Sequence, residues 1–325
     1  MTAADNISIQ NILPEGGASA TRQELIEGLR ASQKRISPKY FYDRYGSKLF
    51  EQITQLDEYY PTRAEKAILN GLISQIGIDF ANVDIIELGS GDASKISILL
   101  SQIPEDILST ISYYPVDISS SAIAESVEEI SSNYTLTGIR GTVANFLNDF
   151  SYLPENHRKV ICFFGSTIGN LSSDQVDTFM KSVGDIMQEG DILLLGTDLV
   201  KDTSIIEAAY NDQDGVTAEF NKNILRVVNG HLNSNFAPSD FEHKAGYNDA
   251  AQRIEMHLVA KTEMEINLSL DQQTIHIAKG ETIHTESSHK FTQEQLSALG
   301  KSGDLTMQKI HSDENQYFCI AQYTK

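Results

Sequence analysis

The chain has 325 residues, 40% of them hydrophobic, enough for one large or two ordinary globular domains. Its 45 acidic residues outnumber 25 basic ones, and a formal charge of −20 sets the surface against nucleic acid and anionic membrane. Residues 1–17 are polar and acidic, lack the basic and apolar regions of a secretory signal, and read as a flexible tail. Thr21-Arg-Gln-Glu24 has capping-box spacing, with Leu25 and Leu29 on one face, and predicts a helix start. Ser37-Pro38 breaks that helix, and the aromatic cluster Tyr40, Phe41, Tyr42 and Tyr45 follows. A short helix is expected over Ser47 to Leu56, ended by Pro61. Thr62-Arg-Ala-Glu65 then caps a helix carrying Ile68, Leu69, Leu72 and Ile76.

From there strands and helices alternate. Strands are expected near 83–88, 111–117, 139–146, 159–164 and 191–197, with helices near 93–102, 120–131 and 173–188. Such alternation predicts a parallel sheet covered on both faces, with ligands at the carboxyl ends of its strands. After Asp198 helices are expected over 203–211 and from Thr217 to Val228, with Gly230 as a stop. Arg253 to Lys261, Met264 to Ser269, Thr274 to Ala278 and Thr282 to Glu286 alternate in polarity and predict an antiparallel sheet. Thr292 to Gln295 opens another helix, and strands 305–311 and 317–323 make a final hairpin. The simplest assembly is a sheet domain of 62–198 plus 290–325 and a second α+β domain of 18–61 plus 199–289.

The most telling stretch is Val83-Asp-Ile-Ile-Glu-Leu-Gly-Ser-Gly-Asp92. An apolar strand ends in Glu87 and the turn Gly89-Ser90-Gly91, where glycine lets the backbone bend and a ligand lie close. The next strand ends in Asp117, an acid suited to the two hydroxyls of an adenosine ribose. A dinucleotide fingerprint needs a third glycine where this chain has Ser94, and the spacing is not that of a P-loop. Glu87 would repel a pyrophosphate and suits a cationic cofactor such as S-adenosylmethionine (SAM). NAD and an unliganded turn stay open on these residues alone.

Other stretches carry weaker signals. Gly165-Ser-Thr-Ile-Gly-Asn170 follows a strand, but Thr167 stands where a nucleophile elbow needs serine. Asn170 there can orient an amine or carboxylate, or simply cap a turn. Tyr59 and Tyr60 precede Pro61 and suit an aromatic or cationic ligand, or a core. Glu286 and Ser288 follow a strand end, where a carboxylate accepts from a substrate N–H or faces water. The eight histidines show no metal-ligand spacing, and no metal is expected. Cys162 and Cys319 lie in apolar runs and read as buried, reduced thiols, which fits a cytoplasmic location. No apolar run approaches the ~18 residues of a membrane span.

Taken together, these residues resemble the histidine-specific SAM-dependent methyltransferases of ergothioneine biosynthesis, the L-histidine Nα-methyltransferases that form hercynine. The matching blocks are Tyr40-Phe-Tyr-Asp43, Gly46 to Ile53, Glu58-Tyr-Tyr-Pro-Thr-Arg-Ala-Glu65, Glu87-Leu-Gly-Ser-Gly91, Pro115-Val-Asp-Ile-Ser119, Gly165 to Asn170, Thr197 to Asp202, Ala209 to Asp212 and Thr285 to Phe291. The resemblance implies a Rossmann-like class I SAM methyltransferase sheet, with a second α+β domain formed by the N-terminus and an insertion. It implies that Gly89, Lys95 and Asp117 hold SAM, and that Asn145 and Phe146 flank the adenine. Glu87 and Gly91 belong to the same cofactor turn. The family usually has Asp at the position of Asn145, whose amide can still accept from the adenine amino group. Tyr42, Asn170 and Tyr210 would orient the substrate's amino and carboxylate groups. Tyr59, Glu286 and Ser288 would read an imidazole, and Met256 would line its pocket. The implied partners are L-histidine and its mono- and dimethyl forms. Alternatives are the same chemistry on another amino acid or amine, an NAD-dependent oxidoreductase, and a non-catalytic SAM-binding protein.

Overall fold

A computed structural model of the chain describes residues 6–13, 17–147, 150–270 and 273–325. In chain order the strands are β1 (Ile7–Asn11), β2 (Lys34–Arg35), β3 (Val83–Leu88), β4 (Ser112–Asp117), β5 (Gly138–Val143), β6 (Arg158–Phe163), β7 (Ile192–Asp198), β8 (Phe241–Asn248), β9 (Arg253–Ala260), β10 (Met264–Leu268), β11 (Gln273–Ile277), β12 (Thr282–His289), β13 (Thr306–Ser312) and β14 (Phe318–Thr324). The helices are α1 (Gly17–Arg30), α2 (Arg44–Ile53), α3 (Tyr60–Leu69), α4 (Ile73–Ile76), α5 (Ser94–Leu100), α6 (Glu105–Leu108), α7 (Ser120–Asn133), α8 (Ser173–Ile186), α9 (Thr203–Tyr210), α10 (Val216–Leu232) and α11 (Gln293–Leu299). Contacts divide the chain into two compact units. The first holds the chain up to Leu13, Pro61–Val200 and Lys290–Lys325. The second holds the intervening segment as far as Tyr60 and Lys201–His289.

The first unit is built on an eight-stranded sheet of order β1-β5-β4-β3-β6-β7-β14-β13. Neighbours from β1 to β7 run parallel, and β14 and β13 are antiparallel additions. All six residues of β3 are buried, and they alternate between two apolar layers. Val83 and Ile85 join Ile68, Ile96 and Ile123 on one face, while Ile86 and Leu88 join Phe179 and Leu296 on the other. Helices on both faces explain why apolar residues of the strand point to both sides rather than to one. The strand order reverses at β3, whose neighbours are β4 and β6. In open parallel sheets a ligand crevice lies at that reversal, at the carboxyl ends. Where the chain leaves and re-enters this unit, Lys290 Nζ meets Asp198 Oδ2 at 2.8 Å, both side chains 1% exposed.

The second unit carries a four-stranded sheet of order β2-β12-β9-β8 and a separate β10-β11 hairpin. Ile254, Met256, Leu258 and Ala260 of β9 are buried, while the residues between them are half-exposed. This sheet therefore has one apolar face, as period-two patterning requires.

Several expectations are corrected. Ile7–Asn11 does not trail as a tail: it pairs in parallel with β5 from Ile7↔Ile139 to Asn11↔Val143. Residues 1–5 and 14–16 of that expected tail lie outside the described residues. Helix α1 begins at Gly17, so Thr21 sits inside it rather than capping it. Pro61 opens α3 instead of ending a segment, because the first helical turn needs no N–H from it. Helix α10 runs through Gly230 and stops at Asn233, whose φ of 48° supplies the left-handed cap. The expected antiparallel sheet of four strands is split into a hairpin and a mixed sheet, and β8 joins the latter. The glycine and charges of Phe241–Asn248 mask its strand pattern. Cys162 and Cys319 are buried free thiols. Among the described residues no helix is long and apolar enough to cross a membrane.

Candidate active site

The carboxyl ends of β3, β4 and β6 gather a set of polar groups in the first unit. After β3 the chain turns through Gly89 (φ 67°) and Gly91 (φ 54°), conformations that only glycine adopts without strain. The Gly89 and Ser90 amides donate to the Val116 carbonyl at 2.8 and 3.2 Å, pinning the turn to β4. Asp117 at the tip of β4 accepts from the Gly91 amide at 3.2 Å and the Ser119 amide at 2.9 Å. Burial raises its carboxyl pKa, and these backbone donors oppose the rise. A carboxylate takes up to four hydrogen bonds, so Asp117 retains acceptor capacity toward a ligand hydroxyl. The Ser90 hydroxyl is buried and unpaired among the described residues, so a polar ligand group would offset its desolvation. This donor and acceptor set fits an adenosine-bearing cofactor.

Glu87 is 2% exposed, and burial pushes its carboxyl up to about 8. The Tyr113 hydroxyl donates to its Oε2 at 2.5 Å, which opposes that rise. Lys95, on α5, meets Glu65 Oε2 at 2.9 Å, and the other Glu65 oxygen accepts from the Gly165 amide at 2.8 Å. Burial works against the Lys95 ammonium, but the charge and hydrogen bond of Glu65, with the charges of Asp92 and Glu87, together outweigh it and the pKa is raised. Glu65 thus joins α3, α5 and the loop after β6. Its spacing from Thr62 imitates a capping box, so nothing in the sequence pattern announces this role. Phe146 lies beside the turn: a Cβ on Gly89 would sit 3.6 Å from its Cζ, and its ring packs edge-on to Phe163 at 5.5 Å. Asn145 is exposed and accepts from the Leu147 amide at 3.2 Å. Asn170 is half-buried at the end of the turn Thr167–Asn170, beyond β6.

The second unit brings the other expected residues together in two groups. Tyr42, Phe50, Tyr59 and Tyr210 form a run of edge-on rings with centroids 5.7, 6.1 and 6.4 Å apart. Tyr42 is 41% exposed, whereas Tyr210 is buried. The second group lies on β9 and β12. From Ile283, strict alternation would put Thr285 and Ser287 on the apolar face. A bulge between His284 and Glu286 shifts the register instead, pairing Glu286 with Met256 and Ser288 with Ile254. Glu286 (7% exposed) and Ser288 (3%) therefore sit on the buried face with Met256. Among the described residues no group of three or more His, Cys, Asp or Glu is placed to hold a metal ion.

A parallel sheet reversed at β3, a glycine turn and an acid on the next strand tip define a Rossmann-like methyltransferase fold. Among solved structures, the mitomycin 7-O-methyltransferase MmcR matches with a TM-score of 0.50 at 10% identity, covering 95% of this chain and 67% of that one. That likeness concerns the fold. The family model described as histidine-specific methyltransferase, SAM-dependent, matches residues 21–325. A histidine N-alpha-methyltransferase of Mycobacterium tuberculosis is 37% identical over 320 residues, covering 98% of this chain and 99% of the relative. Ergothioneine biosynthesis protein 1 of Neurospora crassa is 34% identical over 201 residues, covering 60% of this chain and 23% of that protein. The chain belongs to the histidine-specific, SAM-dependent methyltransferase family. Its methyl donor is SAM, and the NAD-dependent oxidoreductase alternative is set aside.

Proposed function

We propose that the chain is an L-histidine Nα-methyltransferase, converting L-histidine through its mono- and dimethyl forms to Nα,Nα,Nα-trimethylhistidine (hercynine) in ergothioneine biosynthesis. The first unit holds the cofactor and the second reads the amino acid. The observation that carries the substrate assignment is the bulge that sets Glu286 on a buried face beside Met256. A carboxylate there accepts the imidazole N–H, and an amino acid without that donor leaves it underused. Sites built this way discriminate strongly, because their own polar group loses a partner.

Bound SAM supplies an electrophilic methyl carbon on a sulfonium centre, open to in-line displacement by an amine. Gly89, Gly91, Lys95 and Asp117 hold the cofactor, with Asp117 on the ribose hydroxyls. Phe146 and Asn145 flank the adenine, and Glu87, buried and protonated near neutral pH, hydrogen-bonds with Tyr113 behind the turn. Tyr42, Asn170 and Tyr210 orient the substrate's amino and carboxylate groups, and Tyr59 and Ser288 assist Glu286 on the imidazole. The chain's task is alignment, which can contribute ~7–11 kcal/mol to barrier reduction. All three transfers require a neutral amine, so an ammonium proton must leave before each. The product carries a fixed cation, which tyrosine faces accommodate.

Transfer of radiolabelled methyl groups from SAM to each of the twenty amino acids tests the substrate. Histidine should be the preferred acceptor, and preference for another amino acid sinks the assignment. Glu286→Ala should raise the KM for histidine by about tenfold or more, the scale of a lost buried hydrogen bond, with SAM affinity unchanged. Equal losses for both would contradict the role given to Glu286.

A further inference from the structure

A buried chain of hydrogen bonds in the second unit runs through side chains that have no substrate role above. Asn221, on α10, is completely buried. Its Oδ1 accepts from the Thr285 hydroxyl at 2.7 Å, and its Nδ2 lies 3.1 Å from the His257 carbonyl and 2.8 Å from His243 Nδ1. A carbonyl only accepts, so the amide nitrogen must face His257, which fixes the amide's orientation. His243 Nδ1 must then accept the second amide hydrogen. Its proton therefore sits on Nε2, which donates to the Tyr210 carbonyl at 2.8 Å. The amide's two hydrogens and its oxygen are all engaged.

Both ends of the chain reach residues assigned above to substrate. Tyr210 closes α9, and His243 grips its carbonyl. Thr285 is the extra residue of the bulge, standing between the pairs His284↔His257 and Glu286↔Met256. Its hydroxyl also lies 3.0 Å from the Met256 carbonyl, so its single hydrogen is shared between Asn221 on α10 and the β9 backbone. The residue after it is Glu286.

We propose that Thr285 and Asn221 are positioning residues that set specificity for the substrate's side chain, by holding the bulge that aims Glu286 and linking it through His243 to Tyr210. The proposal rests on the assignment of Glu286 to the substrate. Without the Thr285 hydroxyl the bulge loses its anchor, and strict alternation, which would turn Glu286 away from the apolar face, competes with the observed register.

The test is a double-mutant cycle on the full chain, with steady-state kinetics for both histidine and SAM. Thr285→Val removes the hydroxyl and keeps the shape, Thr285→Ser keeps the hydroxyl, and Glu286→Ala removes the aimed group. Thr285→Val should raise the KM for histidine about tenfold, the scale of one buried hydrogen bond, while the KM for SAM stays within about twofold. Thr285→Ser should stay within about twofold of the parent, and Thr285→Val should add less than about twofold in the Glu286→Ala background. An unchanged histidine KM in Thr285→Val, or the same penalty with and without Glu286, overturns the proposal. So does an equal rise in the KM for SAM, which would mark a general loss of structure. If Thr285→Val does not fold, by circular dichroism, Thr285→Ala is held to the same criteria. If Glu286→Ala itself leaves histidine binding intact, the substrate assignment falls and the proposal with it. If Glu286→Ala is damaging and Thr285→Val is silent, only the proposal falls.

Discussion

Glu87 is the penultimate residue of β3 and is almost wholly buried, with Tyr113 as its hydrogen-bond donor. Burial carries its carboxyl from 4.5 to about 8, so between those values the folded chain holds a proton that the unfolded chain has released. The sign follows from linkage. Stability falls as pH rises from about 4.5 to about 8, by up to about 1.4 kcal/mol per pH unit. Urea unfolding of the ligand-free protein at pH 5, 6.5 and 8 should show this decline, and Glu87→Gln should flatten it. An identical slope in both proteins would contradict a protonated Glu87. The position of this acid before a glycine turn was legible in the sequence, whereas its partner was not. Tyr113 lies 26 residues downstream, and only the pairing of β3 with β4 brings the two together. Glu65 was legible only as a helix cap, because a side chain's true partner depends on packing its own segment does not encode.

At the scale of elements, close approach of backbones decides what a position tolerates. Gly184, on α8, faces the turn Gly300–Gly303, and a Cβ there would lie 2.0 Å from the Gly303 carbonyl oxygen. The obstacle is backbone, so no rotamer change relieves it. Gly184→Ala should destabilise the chain by about 1–3 kcal/mol or more, read as a lower urea midpoint with an unchanged slope. A midpoint within error of the parent would show that the helix can move away. Elements with strong periodicity or caps were legible: β3, α8 and α11 fall where the pattern predicts, α11 behind the complete Thr292–Gln295 box, while the structure adds a second box, Ser172–Gln175, at the start of α8. Strand β8 was not, because its register comes from β9 rather than from its own side chains. Neither was the bulge in β12, since a one-residue insertion leaves no mark in a short polar sequence.

For the whole molecule, charge is the governing quantity. A formal charge of −20 repels itself across a folded surface, and the repulsion is long-ranged in dilute salt. The Debye length shrinks from about 30 Å at 0.01 M to about 8 Å at 0.15 M, so the melting temperature should rise as sodium chloride is added over that range. A falling melting temperature would mean that salt-sensitive attractions outweigh the net repulsion.

The amino-acid order alone determined the doubly covered parallel sheet, the glycine turn with its two strand-end acids, and the likeness to the histidine-specific methyltransferases. These rest on local pattern, where a residue's neighbours in the chain are also its physical context. Tertiary structure alone decided that Ile7–Asn11 is a strand, that Glu65 ties Lys95 to Gly165, and that Glu286 faces inward. Each depends on partners tens to hundreds of residues away, and burial and hydrogen bonding select those partners only when the chain is folded.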